Sequence, residues 1–256
     1  MADSRPRQPD FFILGGMKCG TTSLFNYLAQ HPRILPPAAK ELHYYDEHHY
    51  RGRGLDDYLG NFPVRGADTL SGEATPFYLT HPHAPAWLSR DFPAAKLIVL
   101  MRDPVARFWS QYQQMYSKGR ITGSAKEVIA LELEQGEQEW QKVLADPGLP
   151  VTGLKRCSLL RRGRYAEQLL RWFEHVPRDR FLLLFTEDLL ADRRAVVDRT
   201  LEFLGLETAP GMDLAALHHT RKYPPVPVGL RQRLEEHYAP ANRQLAELLG
   251  EEPPWD

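Results

Sequence analysis

The segment Phe11-Phe12-Ile13-Leu14-Gly15-Gly16-Met17-Lys18-Cys19-Gly20-Thr21-Thr22-Ser23-Leu24-Phe25-Asn26-Tyr27-Leu28 changes its hydrophobic rhythm at a pair of glycines, and that change fixes the architecture. Four consecutive apolar residues before the glycines read as a buried strand, whereas Leu24, Tyr27 and Leu28 recur at helical spacing after them. The unit is strand, glycine turn, helix. Lys96 to Met101 repeats it, with Pro104 where a helix can begin and Phe108, Tyr112 and Met115 at helical intervals. Arg180 to Phe185 is a third apolar run, bracketed by amphipathic helices at Leu160 to His175 and Arg193 to Leu206. Strands alternating with helices imply an α/β fold, a mainly parallel sheet with helices on both faces.

Outward from these units the chain is less regular. Residues 1–9 read as a loose polar arm and 10–256 as a single domain. Ser117 to Leu154 is glutamate-rich without a good strand, so it is expected to add helices and loops as a variable insert appended to the sheet. Leu230 to Leu249 reads as a last helix bent by Pro240. With 256 residues, of which 43% are hydrophobic and 25% charged, the chain can bury a large core. Thirty-two basic residues against thirty-three acidic ones give no global pull toward a nucleic acid, so any anion site must be a local cluster. Cys19 and Cys157 lie far apart behind no cationic, apolar leader, from which a reducing, cytoplasmic setting is expected. No apolar run approaches the roughly 20 residues of a membrane span. Oligomeric state is not legible.

The first turn has the makings of an anion site. Its glycines let backbone N–H groups close on a phosphate, the helix start adds partial positive charge, and Thr21, Thr22 and Ser23 add hydroxyl donors. Gly15 and Gly20 have P-loop spacing, but Thr21 stands where that motif places lysine, and the lysine has moved into the loop at Lys18. A P-loop-like scaffold without the triphosphate and magnesium apparatus follows. Arg102-Asp103-Pro104 closes the second strand, which aims Arg102 at the crevice where α/β sheets bind ligands, with Ser110 eight residues on. Asp103 can brace that arginine or cap the helix. Lys40-Glu41-Leu42-His43-Tyr44-Tyr45-Asp46 lies in a loop or short strand whose alternation puts Glu41 and His43 on one face. A zinc site at His43, His48 and His49 fails on loose spacing and missing cysteine partners, so no metal is expected.

These motifs together resemble the carbohydrate sulfotransferases that use 3′-phosphoadenosine 5′-phosphosulfate (PAPS), especially the heparan-sulfate 3-O- and N-sulfotransferase branch and its soluble bacterial relatives. Lys18 to Leu24 looks like that family's 5′-phosphosulfate loop, with Cys19 where threonine is more familiar. The resemblance implies that Lys18 meets the oxygen bridging phosphate and sulfate, that Gly20, Thr21, Thr22 and Ser23 hold the 5′-phosphate, and that Arg102 and Ser110 hold the 3′-phosphate. It makes Glu41 the base that removes the acceptor's hydroxyl proton, with His43 the alternative base or its partner. Gly72-Glu73-Ala74-Thr75-Pro76 is similar to a family segment that carries lysine at Ala74, which favours a less anionic acceptor. Gly163-Arg164-Tyr165-Ala166 resembles a family helix start, with Tyr165 structural or adjacent to the nucleotide. Thr220 to Pro225 looks like the loop that closes over the nucleotide, where Arg221 or Lys222 would meet a phosphate and Tyr223 the adenine. The implied activity is transfer of the sulfuryl group to a hydroxyl of a carbohydrate or other small acceptor. The rivals are an ATP-dependent small-molecule kinase, which Thr21 disfavours, and a non-catalytic nucleotide-binding protein, which the intact set Lys18, Glu41 and His43 disfavours.

Overall fold

The structure, a computed structural model, describes residues 4–5, 8–48, 52–215 and 223–255. Strands β1 (Phe11–Gly15), β2 (Gly72–Glu73), β3 (Lys96–Met101) and β4 (Phe181–Phe185) form one parallel sheet in the order β2-β1-β3-β4. Phe12 pairs with Leu97 and Leu97 with Phe181, and the register of β1 slips between Ile13 and Gly15, where the strand gives way to the glycine turn. Every residue of β1 and β4 is buried. Successive side chains point to opposite faces, so unbroken burial means that both faces are covered, the condition under which parallel sheets are stable.

The helices are α1 (Thr21–Leu28), α2 (Leu55–Leu59), α3 (Ala84–Asp91), α4 (Pro104–Ser117), α5 (Ala125–Ala145), α6 (Thr152–Arg156), α7 (Tyr165–Phe173), α8 (Thr186–Ala191), α9 (Arg193–Leu204) and α10 (Val228–Leu249). Helices α1 and α9 pack on each other and on the sheet, while α10 joins α7 and α4. No helix among the described residues is long and apolar enough to cross a membrane.

Several boundaries differ from the sequence expectation. The helix expected from Leu160 begins at Tyr165, because Leu159 and Leu160 turn into the core and Arg161–Gly163 form a single tight turn. Gly163 sits there under Tyr238 and Pro104, where a Cβ would meet the tyrosine ring at 2.8 Å. Helix α9 stops two residues early at a left-handed Gly205. Helix α10 starts two residues early and continues through Pro240 as one element. The insert is dominated by α5, whose start is fixed by a reciprocal capping box between Ser124 and Glu127. The arm expected to be loose places Ser4–Arg5 in a short antiparallel ladder with Arg65–Gly66. Strand β2 was not foreseen, since two residues carry no periodicity.

Strand β2 fits against β1 only because Gly72 has no side chain: a Cβ there would lie 2.4 Å from the Phe11 carbonyl oxygen and 2.6 Å from its ring. Backbone cannot give way as a flexible side chain does. Gly72→Ala is therefore expected to cost about 1 to 3 kcal/mol of stability, seen as a lower urea midpoint at unchanged slope. An unchanged midpoint would show that β2 separates from β1 at no cost.

Candidate active site

Strand β1 delivers the chain into a tight loop, Gly16-Met17-Lys18-Cys19, that enters α1 at Gly20. The Gly16 N–H donates to the Leu100 carbonyl, and the Cys19 N–H donates to the Gly16 carbonyl at 3.1 Å. Lys18 and Gly20 both hold left-handed backbone, with φ of 72° and 85°. Glycine takes that conformation freely, whereas lysine holds it under strain. Helix α1 has no acidic residue in its first turn and Gly20 supplies no side-chain cap, so the positive end of the helix is left for an anion. Thr22 is half-buried at this end, and Thr21 and Ser23 are buried. Cys19 points away from the site: it is fully buried with Sγ 3.5 Å from the Tyr165 hydroxyl, and burial pushes its thiol pKa up.

Arg102, at the end of β3, reaches this loop. Its Nη1 donates to the Lys18 carbonyl at 3.2 Å. Tyr165 pins the main chain beside it, donating to the Arg102 carbonyl at 2.9 Å and accepting from the Arg102 N–H at 3.2 Å. The Thr186 hydroxyl lies 2.9 Å from both the Cys19 and Met101 carbonyls, which ties the ends of β3 and β4 to the loop. Asp103 is a helix cap, accepting from Val105 N–H and Ala106 N–H. Ser110 is half-buried on α4, and its hydroxyl makes no hydrogen bond with the described residues. Trp109 donates from Nε1 to the Pro224 carbonyl at 2.7 Å, which brings the segment after residue 222 against the Ser110 turn. Tyr223 opens that segment, and its buried hydroxyl has no partner among the described residues. Arg221 and Lys222 lie outside the described residues.

The third motif is held together by charge. The Lys40 ammonium donates to Glu41 Oε1 at 2.6 Å, His43 Nε2 lies 3.4 Å from Glu41 Oε2, and His43 Nδ1 lies 3.1 Å from both oxygens of Asp46. Glu41 and His43 do share a side, but through a left-handed His43, φ 54°, rather than through simple alternation. Burial works to raise the Glu41 pKa, yet the bond from His43 and the charge of Lys40 outweigh it and hold the carboxyl at about 2. Burial works against the His43 imidazolium, yet its bonds to Asp46 and Glu41 push it up to about 10. At rest the pair is an ion pair. Asp46 is fully buried, and its second partner is Lys155 from α6, at 2.8 Å, which also meets Glu47 at 2.6 Å.

Asp46 and Lys155 complete the cluster and were not singled out from the sequence. Asp46 stood in the quoted motif three residues after His43, the spacing of one helical turn, while no local signal connects Lys155 to it. Arg162 closes the circuit back to the Gly16-Met17-Lys18-Cys19 loop. It donates to the Lys155 carbonyl at 2.8 Å, and its Nη1 lies 3.1 Å from Met17 Sδ. The structure thus brings the Lys18 main chain, the start of α1 and Arg102 together at the carboxyl ends of β1 and β3, and ties Glu41, through His43, Asp46, Lys155 and Arg162, to the same loop.

A family model described as the sulfotransferase domain matches residues 8–224. The chain is 29% identical over 279 residues to mouse heparan sulfate glucosamine 3-O-sulfotransferase 6, covering 98% of this chain and 75% of that protein. It is 28% identical over 275 residues to human bifunctional heparan sulfate N-deacetylase/N-sulfotransferase 3, covering 95% of this chain but 30% of that one. Among solved structures, a sulfotransferase from Alicyclobacillus acidocaldarius superimposes with a TM-score of 0.76 at 29% identity, covering 96% of this chain and 97% of that chain.

Proposed function

The chain belongs to the sulfotransferase domain family, enzymes of sulfuryl transfer, and from that membership we propose that it takes the sulfuryl group of PAPS and delivers it to a hydroxyl of a carbohydrate or other small acceptor. The observation that supports the choice of donor is the contact of Arg102 with the Lys18 carbonyl, which sets the end of β3 against the Gly16-Met17-Lys18-Cys19 loop. Read as two anion motifs side by side, they suit a donor with phosphates at both ends of its nucleoside; ATP would have no use for the second.

PAPS, when bound, supplies an activated sulfuryl group whose leaving group is a nucleotide phosphate. Gly20, Thr21, Thr22 and Ser23 would hold the 5′-phosphate at the positive end of α1. Arg102 and Ser110 would take the 3′-phosphate, with the fork of the arginine suited to two parallel bonds. Tyr223, beside the Ser110 turn, would face the adenine, and Arg221 or Lys222 would add charge at a phosphate. Lys18 would stabilise the charge that gathers on the leaving phosphate as the S–O bond breaks, an interaction stronger in the transition state than before it. Glu41 would accept the proton of the acceptor hydroxyl as oxygen attacks sulfur. His43, braced by Asp46, would aim that carboxylate, and stands as the alternative base.

On the acceptor side, Ala74 is fully buried and its N–H donates to the Lys40 carbonyl at 2.9 Å. The position therefore offers a polyanion no cation, and we infer an acceptor poorer in sulfate than mature heparan sulfate. A non-sulfated, glucosamine-containing hexasaccharide is the first acceptor to try with radiolabelled PAPS. Two buried free thiols suit the reducing cytoplasm, and residues 10–256 are taken as one catalytic domain.

The donor assignment predicts that 3′-phosphoadenosine 5′-phosphate (PAP) binds more tightly than ADP or ATP, without magnesium, in calorimetric titrations. Equal affinities or a strict magnesium requirement would transfer the assignment to a kinase.

A further inference from the structure

Glu73 is fully buried, yet no cation pairs with it among the described residues. Four donors converge on its carboxylate instead. Oε2 accepts from the Leu42 N–H at 3.0 Å and the Thr75 hydroxyl at 2.8 Å, and Oε1 accepts from the hydroxyls of Tyr58 at 2.8 Å and Tyr78 at 3.0 Å. Four accepted bonds fill both oxygens of an ionised carboxylate, and a protonated acid would have to release one donor. Burial raises its pKa, and the bonds from Tyr58, the Leu42 N–H, Thr75 and Tyr78 oppose that rise. A buried charge held by dipoles alone is a poor device for stability, since an apolar residue of like volume is often as good or better.

The same groups grip one short segment. Thr75 Oγ1 accepts from the His43 N–H at 3.4 Å, and the Tyr78 hydroxyl accepts from the Tyr44 N–H at 2.9 Å. The Tyr45 N–H also reaches the Tyr78 hydroxyl, at 3.4 Å, so four consecutive amides, those of Leu42, His43, Tyr44 and Tyr45, dock on Glu73, Thr75 and Tyr78. They flank the side chains of Glu41 and His43 and include the left-handed residue His43. A strained backbone persists only where its surroundings over-determine it, and this hub does so. Glu73 is in turn carried by β2, whose pairing with Phe12 ties the hub to the strand that leads into the phosphate loop.

We propose that Glu73 is a positioning residue for sulfuryl transfer: with Thr75 and Tyr78 it sets the backbone from Leu42 to Tyr44, and so the placement of Glu41 and His43 relative to the donor. This rests on the reading of Glu41 and His43 as the proton-accepting pair.

Two variants test it. Glu73→Gln keeps the shape, but if its oxygen stays on Leu42 and Thr75 its NH2 group faces two tyrosine hydroxyls, and the Tyr78 hydroxyl already accepts from Tyr44. Thr75→Val is close to isosteric and removes only the hydroxyl, so it remains informative if the first variant does not fold. Turnover is followed as PAP release with the hexasaccharide or water as acceptor, PAP affinity by calorimetry, and His43 by NMR titration. The groups that face His43 are Glu41, Asp46 and Glu47 from its own segment and Lys155 from α6. Expected for Glu73→Gln are a kcat lower by about 10- to 100-fold, unchanged PAP affinity, and a His43 midpoint that falls from about 10 toward 6.5. Thr75→Val should shift the same readouts, with kcat lower by roughly fivefold, about the worth of the bond the hydroxyl accepts from the His43 N–H; the bond it donates to Glu73 is lost with it. A His43 midpoint unmoved in the folded variants would overturn the positioning role, whatever happens to kcat. A midpoint that moves while kcat holds would leave that role standing and remove Glu41 as the base.

Discussion

Glu41→Gln is expected to bind PAP as tightly as the unaltered chain and to turn over about 10²- to 10⁴-fold more slowly, the usual worth of a general base. The amide keeps the outline of the carboxylate and loses the proton acceptor. Glu41 is held at about 2 and His43 at about 10, so in the unaltered chain both are ionised throughout the neutral range. A carboxylate held so low is a reluctant base for a free hydroxyl. The proton must therefore move late, once bonding to sulfur has made the hydroxyl acidic. His43→Asn is the companion variant: without the imidazolium, Glu41 becomes more basic but loses its brace, so a smaller loss is expected. Both are measured at saturating donor. Near-normal turnover in Glu41→Gln beside a collapse in His43→Asn would move the base role to His43. Lys18→Ala should also slow turnover, through the leaving group, and its penalty alone should shrink with a donor whose leaving group is more acidic.

Arg102→Ala is expected to weaken PAP binding by about 2 to 4 kcal/mol, roughly 30- to 1000-fold, because on the proposed reading it removes a charge-assisted contact and leaves a phosphate without its partner. The fold should be almost untouched. Tyr165 bonds the main-chain N–H and carbonyl of Arg102, both of which alanine retains, and among the described residues the guanidinium makes a single hydrogen bond, to the Lys18 carbonyl. Calorimetry and a thermal melt on the same preparation separate the two readings. Unchanged affinity with a collapsed melting temperature would make Arg102 a structural residue.

The two strand-turn-helix units were legible because a period-free apolar run, a glycine or proline break and a helical rhythm follow one another within some twenty residues. The neighbourhood of Lys18 and Arg102 follows from that topology, since adjacent parallel strands end side by side. Tertiary partners were not legible. Lys155 reaches Asp46 from a helix in another part of the chain. Glu73, Thr75 and Tyr78 were visible as residues, but their hold on Leu42 to Tyr44 depends on a two-residue strand with no pattern of its own. Asp103 was open between two roles until its side chain was seen on the amides of α4. The late start of α7 was missed because leucines spaced for a helix can equally fill a core from an irregular turn.

The residues other than glycine that hold left-handed backbone in the described chain are Lys18 and His43, one in the loop proposed to hold phosphate and one beside Glu41, the proposed base. Each conformation costs a residue with a Cβ on the order of 1 kcal/mol or more, and glycine nothing comparable. Laboratory evolution toward heat resistance or yield alone would consequently drift to glycine or asparagine at both positions, accumulating well-behaved proteins as it erased the chemistry. Any library built on this scaffold needs a selection gate for product formation at every round.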